Sequence, residues 1–176
     1  MLSKYPGMNF VWGPDAMPAG LQAPVNSGVL GRNGSTVASM KATVDADLAQ
    51  MTGPSLVWMR HILVNLGAND FGAMPLQADY ETNLGYILDA LHTKWPNATV
   101  YVARAWTSGG GMANANTLAG WTATVVGARS WAALGPDERV WLENGDGGAT
   151  YTYDGTHYST AGNTAAAAQW MTAMGY

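Results

Sequence analysis

The chain has 176 residues, no cysteine, and a formal charge of −4 from 8 basic and 12 acidic side chains. The length fits one domain of about 100–200 residues with a sizeable core, and no apolar run approaches the ~20 residues of a membrane span. The acidic balance argues against a nucleic-acid backbone or an anionic membrane surface as partner, and the lack of cysteine removes disulfides, thiolate nucleophiles and Cys-based metal sites.

Residues 1–7 lack the basic and apolar regions of a signal peptide and read as the last turn of a helix closed by Pro6-Gly7. Residues 9–12 are a short apolar strand, and residues 13–35, rich in Gly, Pro, Asn and Ser, a loop. Val37, Met40, Val44, Leu48 and Met51 recur at steps of three and four, which predicts a helix over 36–51 stopped by Gly53-Pro54. The apolar run 61–66, closed by Gly67, has the pattern of a buried parallel strand. A second helix over 76–95 carries Tyr80, Leu84, Ile87, Leu88, Leu91 and Trp95 on one face. Then come a strand at 99–103, a flexible Gly-rich loop at 108–112, an Ala-rich helix over 113–133, a short strand at 140–142, a Gly/Asp/Tyr loop at 145–159 and a helix over 160–174. This alternation predicts one α/β domain over residues 1–176, a parallel sheet with helices on both faces. In such sheets ligands bind at the carboxyl ends of the strands.

Three segments have chemistry worth weighing. Gly67-Ala-Asn69-Asp70 leaves a strand at that end, where the Asn69 amide can donate to a negative oxygen without changing protonation. An ordinary Asn-Asp turn, with Asp70 capping the turn that follows, is the competing reading. Asp154-Gly-Thr-His157 precedes the last helix, and a carboxylate three residues before an imidazole can hold Nδ1–H and free Nε2 as a base. Tyr151, Tyr153 and Tyr158 flank it and could exclude water, while a surface loop with a cap at Thr160 or Ser159 is the alternative. Gly31-Arg-Asn-Gly34-Ser-Thr36 enters the first helix, where backbone N–H groups could meet a negative group or simply form a capped turn. Phosphate binding there would involve Arg32, but no Gly-Lys-Ser/Thr occurs. His61, His92 and His157 have no metal-ligand spacing, so neither metal nor cofactor is expected.

Together these motifs resemble the SGNH, or GDSL-type, hydrolases, and most of all their carbohydrate acetyl-esterase branch. Gly67-Ala-Asn69-Asp70 matches the family's Gly-x-Asn-Asp block, and Asp154-Gly-Thr-His157 its Asp-x-x-His block, with Gly162 following. Residues 9–13 and 31–37 are similar to the block that carries a glycine before the first crossover helix; that glycine is placed at Gly34, with Gly31 as the alternative. The resemblance implies a three-layer α/β/α sandwich of the flavodoxin-like type. It implies Asn69 and the Gly34 amide as oxyanion donors, His157 as general base and Asp154 as its orienting partner. The implied reaction is hydrolysis of small acyl esters, acetyl esters of carbohydrates among them, through an acyl-enzyme.

The family's Gly-Asp-Ser is absent from all 176 residues. The expectation is that the sequence starts internally, without the first strand and its serine, so that a signal peptide upstream would make the protein secreted. Residues 10–15, with Asp15 in the serine's place, are an alternative first block. Ser27, Ser35, Ser39, Ser108 and Ser159 have no context that singles out a substitute nucleophile. The rival reading is a non-catalytic relative that binds carbohydrate or helps assemble a larger particle. Low charge and many aromatics are compatible with self-association and leave the oligomeric state open.

Overall fold

The computed structural model describes residues 34–51 and 59–176. The expected helix tail at 1–7, the strand at 9–12, the stop at Gly53-Pro54 and the alternative Gly31 lie outside the described residues.

Helix α1 (Val37–Gln50) begins with a reciprocal capping box: the Thr36 hydroxyl accepts from the Ser39 N–H, and the Ser39 hydroxyl accepts from the Thr36 N–H. Its buried stripe, Val37, Met40, Val44 and Leu48, follows the predicted spacing and packs on α2 (Gln77–Lys94). Helix α2 buries Tyr80, Leu84, Ile87, Leu88 and Leu91, the face read from the sequence, and ends at the buried Trp95.

Strands β1 (His61–Val64), β2 (Thr99–Arg104) and β3 (Ala132–Asp137) form a parallel sheet in that order. His61 pairs with Thr99 and Val64 with Val102, while Val100 pairs with Ala132 and Arg104 with Asp137 across a register shift. Parallel neighbours need long crossovers, and α2 and α3 (Gly111–Gly127) supply them and contact β2. Val100 and Val102 are fully buried. By the pleat, His61 and Tyr101 point the other way; their rings meet each other, and His61 also meets Tyr176 beyond α5 (Thr160–Ala173). Gly135 lies under Trp170 of α5, where a Cβ would fall 2.6 Å from the indole. Helices therefore flank the sheet, and the three-layer α/β arrangement stands.

The structure differs from the sequence reading in three places. The expected strand at 140–142 instead begins in a one-turn helix, α4 (Glu138–Trp141), capped by the Asp137 carboxylate on the Arg139 N–H. Three apolar residues cannot distinguish the two states. The helical turn leaves Val140 70% exposed and buries Trp141 and Leu142. The last strand is instead Ala132–Asp137, part of which read as the tail of an Ala-rich helix. Helix α3 stops earlier because Arg129 folds back on the Val125 carbonyl and pairs with Asp89 of α2, after which the ladder with β2 takes over. Pro136 is tolerated because β3 is an edge of the described sheet. Finally, the expected flexible loop at 108–112 is a tight turn, Ser108–Gly110, that opens directly into α3.

Helix α5 is capped by Ser159, whose hydroxyl accepts from the Gly162 N–H. A Cβ on Gly162 would lie 1.9 Å from the Tyr151 carbonyl oxygen, a backbone atom that cannot swing aside. Gly162→Ala is expected to destabilise the fold by about 1–3 kcal/mol, read as a lowered urea midpoint. An unchanged midpoint would mean that the helix and the 151–158 loop do not pack this closely.

Candidate active site

Both sequence blocks lie at the carboxyl edge of the sheet. After β1, Gly67 takes φ +120°, a conformation that favours glycine, and the chain tightens into a 3-10 turn at Ala68–Gly72. The turn is bolted to the start of α1. The Asn69 Nδ2 donates to the Ser35 carbonyl at 3.0 Å, and the buried Asp70 carboxylate accepts from the Val37 N–H at 3.0 Å. Asp70 thus caps α1 across space as well as sitting in its own turn. Burial pushes its carboxyl above the usual range, opposed by the backbone donors of Val37 and of Asp70 itself. Gly34, at φ +72°, has open space where a Cβ would stand. Asn69 and the Gly34 turn are therefore neighbours through Ser35, and one Asn69 amide hydrogen has no partner among the described residues.

The second block makes a pair of its own. The His157 Nδ1 lies 2.7 Å from an Asp154 oxygen, and the other Asp154 oxygen accepts from the N–H groups of Thr156 and His157 at 3.0 and 2.8 Å. The His157 backbone and side-chain donors hold the Asp154 carboxyl down at about 2. An ionised carboxylate only accepts, so Nδ1 carries the proton and Nε2 is free. Side chains of both residues remain accessible, 58% for His157 and 41% for Asp154. Of the three flanking tyrosines only Tyr153 stacks on the imidazole, at 5.5 Å and 13°, and it is itself 71% exposed. Tyr151 and Tyr158 turn inward onto Trp141.

No hydrogen bond among the described residues joins the Asn69 pair to the His157 pair. They are coupled through the turn after β2. The Gly155 carbonyl accepts from the Ser108 N–H at 2.9 Å, and Thr107 and Thr156 share a hydroxyl contact at 2.8 Å. Two residues on, Gly110 sits against Phe71 of the Asn69 turn, where a Cβ would fall 2.4 Å from the ring. The candidate serines have local duties: Ser39 and Ser159 cap helices, Ser35 is buried and accepts from Asn69, and Ser108 braces the Gly155 loop; Ser27 lies outside the described residues. His61 packs on Tyr101 and Tyr176, and His92 stacks on Trp131 at 4.1 Å.

One group escaped the sequence reading. Glu138, first in α4, is buried and receives the side-chain amide of Asn65, the backbone N–H of Trp106 and the hydroxyl of Tyr158. The only signal for it was an acidic pair, Asp137-Glu138, between the expected helix at 113–133 and the expected strand at 140–142.

The Asp154 shift has a testable sign. A depressed carboxyl adds stability above its ordinary value near 3.8, and that contribution is lost as pH falls through about 2. The Asp154 carboxyl-carbon resonance is expected to titrate near 2, with the amides of Thr156 and His157 losing exchange protection together. A midpoint at the ordinary value of 3.8 would mean that the pair does not form.

Comparison with known proteins follows this geometry. Residues 6–165 match the model of the GDSL-like lipase/acylhydrolase family. No curated protein matches the chain. Among solved structures, the chain is similar to a Streptococcus pneumonia protein described as a candidate platelet activating factor, with TM-score 0.64 and 18% identity over 81% of this chain and 69% of that one. It is also similar to a Clostridium thermocellum family 3 carbohydrate esterase, with TM-score 0.58 and 18% identity over 82% and 67%. At that identity the likeness is one of fold, but the family match spans most of the sequence and agrees with the two blocks: the chain belongs to the GDSL-like lipase/acylhydrolase family of ester hydrolases.

Proposed function

We propose that this chain carries the acid–base and oxyanion parts of a serine ester hydrolase acting on small acyl esters, acetyl groups on carbohydrate in particular. One observation supports it above the others: an imidazole held by an ionised carboxylate at the carboxyl edge of the sheet, the edge that also carries Asn69. In this reading the free Nε2 of His157 takes the proton of a serine hydroxyl as the oxygen attacks the ester carbonyl. The second Asn69 amide hydrogen and the Gly34 N–H donate to the oxygen on which negative charge develops. His157 returns the proton to the leaving alcohol, and water then releases the acid from the acyl-enzyme. The fold likeness to a carbohydrate esterase supports the substrate class. The serine is taken to come from a Gly-Asp-Ser outside these 176 residues, since none occurs within them.

The same missing tripeptide favours one second reading, a non-catalytic relative that binds carbohydrate or a protein partner. The two are separated with the native-length protein and short-chain nitrophenyl esters. The hydrolase reading expects turnover and covalent labelling by a serine-directed phosphonate. It expects His157→Ala to lower kcat by ~10²–10⁴ and Asn69→Ala by ~10²–10³. Absence of both labelling and turnover, with saturable oligosaccharide binding, would favour the binding module. Equal rates for wild type and His157→Ala would remove the mechanism.

A further inference from the structure

The exposed pair His157–Asp154 is a poor anchor by itself. An accessible ion pair contributes little, because water screens it and the side chains lose freedom in forming it, and it does not by itself hold an imidazole at a fixed place. The next residue supplies what the pair lacks. Tyr158 is turned inward, and its hydroxyl donates to the Glu138 carboxylate and accepts from Asn65 Nδ2 at 3.0 Å. Asn65 also donates to the same Glu138 oxygen at 2.8 Å, and the other oxygen accepts from the Trp106 N–H at 2.9 Å. Asn65 follows β1, Trp106 follows β2, and Glu138 follows β3. A single buried side chain at the end of β3 thus collects a hydrogen bond from beyond each of the other two strands and from the residue beside the imidazole.

We propose that Glu138, acting through Tyr158 and Asn65, is the positioning residue that fixes His157 against the carboxyl edge of the sheet. The proposal rests on His157 being the base of the hydrolase described above, and it assigns a duty to residues outside both sequence blocks. Each donor has a place: Asn65 uses its two amide hydrogens on Glu138 and Tyr158, and Tyr158 uses its one proton on Glu138. The backbone follows suit. Thr152 and Tyr158 form an antiparallel bridge, the Tyr153 N–H donates to the His157 carbonyl at 3.1 Å, and the Ser159 N–H donates to the Tyr151 carbonyl at 2.8 Å. Among the described residues no lysine or arginine pairs with Glu138, and the nearby Asp137 charge adds to the burial that raises its carboxyl. Burial and the Glu138 charge likewise raise the Tyr158 phenol, so Tyr158 stays a donor.

The test uses isotopically labelled native-length protein as wild type, Tyr158→Phe and Glu138→Gln. Tyr158→Phe keeps the ring against Trp141 and removes only the hydroxyl. The expected result is loss of the downfield Nδ1–H resonance of His157, with amide exchange at Thr156 and His157 faster by about tenfold. Glu138→Gln keeps one accepting oxygen and should be intermediate. Where the protein hydrolyses esters, kcat should fall about tenfold in Tyr158→Phe with KM unchanged, the pattern of a misplaced base. Wild-type resonance and exchange in both variants would overturn the proposal. If Glu138→Gln does not fold, Tyr158→Phe decides alone. Failure of all ester hydrolysis would count against the hydrolase reading, while the His157 resonance would still decide whether the clamp exists.

Discussion

Burying the Glu138 carboxyl is the interaction on which the carboxyl edge depends. Taking a carboxylate out of water costs several kcal/mol even after relaxation. Three donors answer it: Asn65, Trp106 and Tyr158. Hydrogen bonds to a charged group contribute about 1.5–3 kcal/mol each; they oppose the penalty without cancelling it, since burial still raises the Glu138 carboxyl. Removing any one donor leaves more of that penalty unanswered. That cost is what makes the arrangement specific. A hydrophobic side chain at this position would bury well, but it would leave the Trp106 N–H without its acceptor and Tyr158 free to turn outward.

The same device recurs at the start of α1. The buried Asp70 accepts the Val37 N–H, as Glu138 accepts the Trp106 N–H, and in each case a carboxylate from one element satisfies a backbone donor of another. The two carboxylates divide the edge between them. Asp70 fixes the Asn69 turn relative to α1 and so to Gly34. Glu138 fixes the His157 loop relative to all three strands. Among the described residues the halves meet through packing at Phe71 and Gly110, the backbone contact of Ser108 with Gly155 and the hydroxyl contact of Thr107 with Thr156. A perturbation of either carboxylate should therefore disturb one half more than the other.

How much of this the sequence disclosed follows from the range of each interaction. Helices α1 and α2 and strands β1 and β2 were legible because their apolar residues repeat at the period of the element, and periodicity is local. The Asp154–His157 pair was legible because its members stand three residues apart, and the Asn69 turn because its residues form one short motif, whereas the Ser35 and Val37 partners of that turn, 34 and 33 positions away, were not. The boundary of α3 was misplaced because its stop comes from Arg129 reaching Asp89, forty positions away. Strand β3 was missed because Ala132-Ala133-Leu134 has no strand signature and is held by its ladder with β2. Glu138 was invisible for the same reason: its partners stand at 65, 106 and 158, and nothing local marks an acidic residue between two expected elements as buried.

The exposure of His157 now has a consistent explanation. A buried base would gain a stronger electrostatic environment, but this imidazole is accessible to water, as the proposed role of base requires. Its tautomer is set by an ionised Asp154, whose own charge is secured by two backbone donors rather than by dryness. Its place is set from behind, by a neighbour that is buried. Separating the two duties lets the ring be both accessible and fixed. A short loop can meet those demands only if one residue points to solvent and the next points into the fold, the alternation that the antiparallel bridge between Thr152 and Tyr158 enforces.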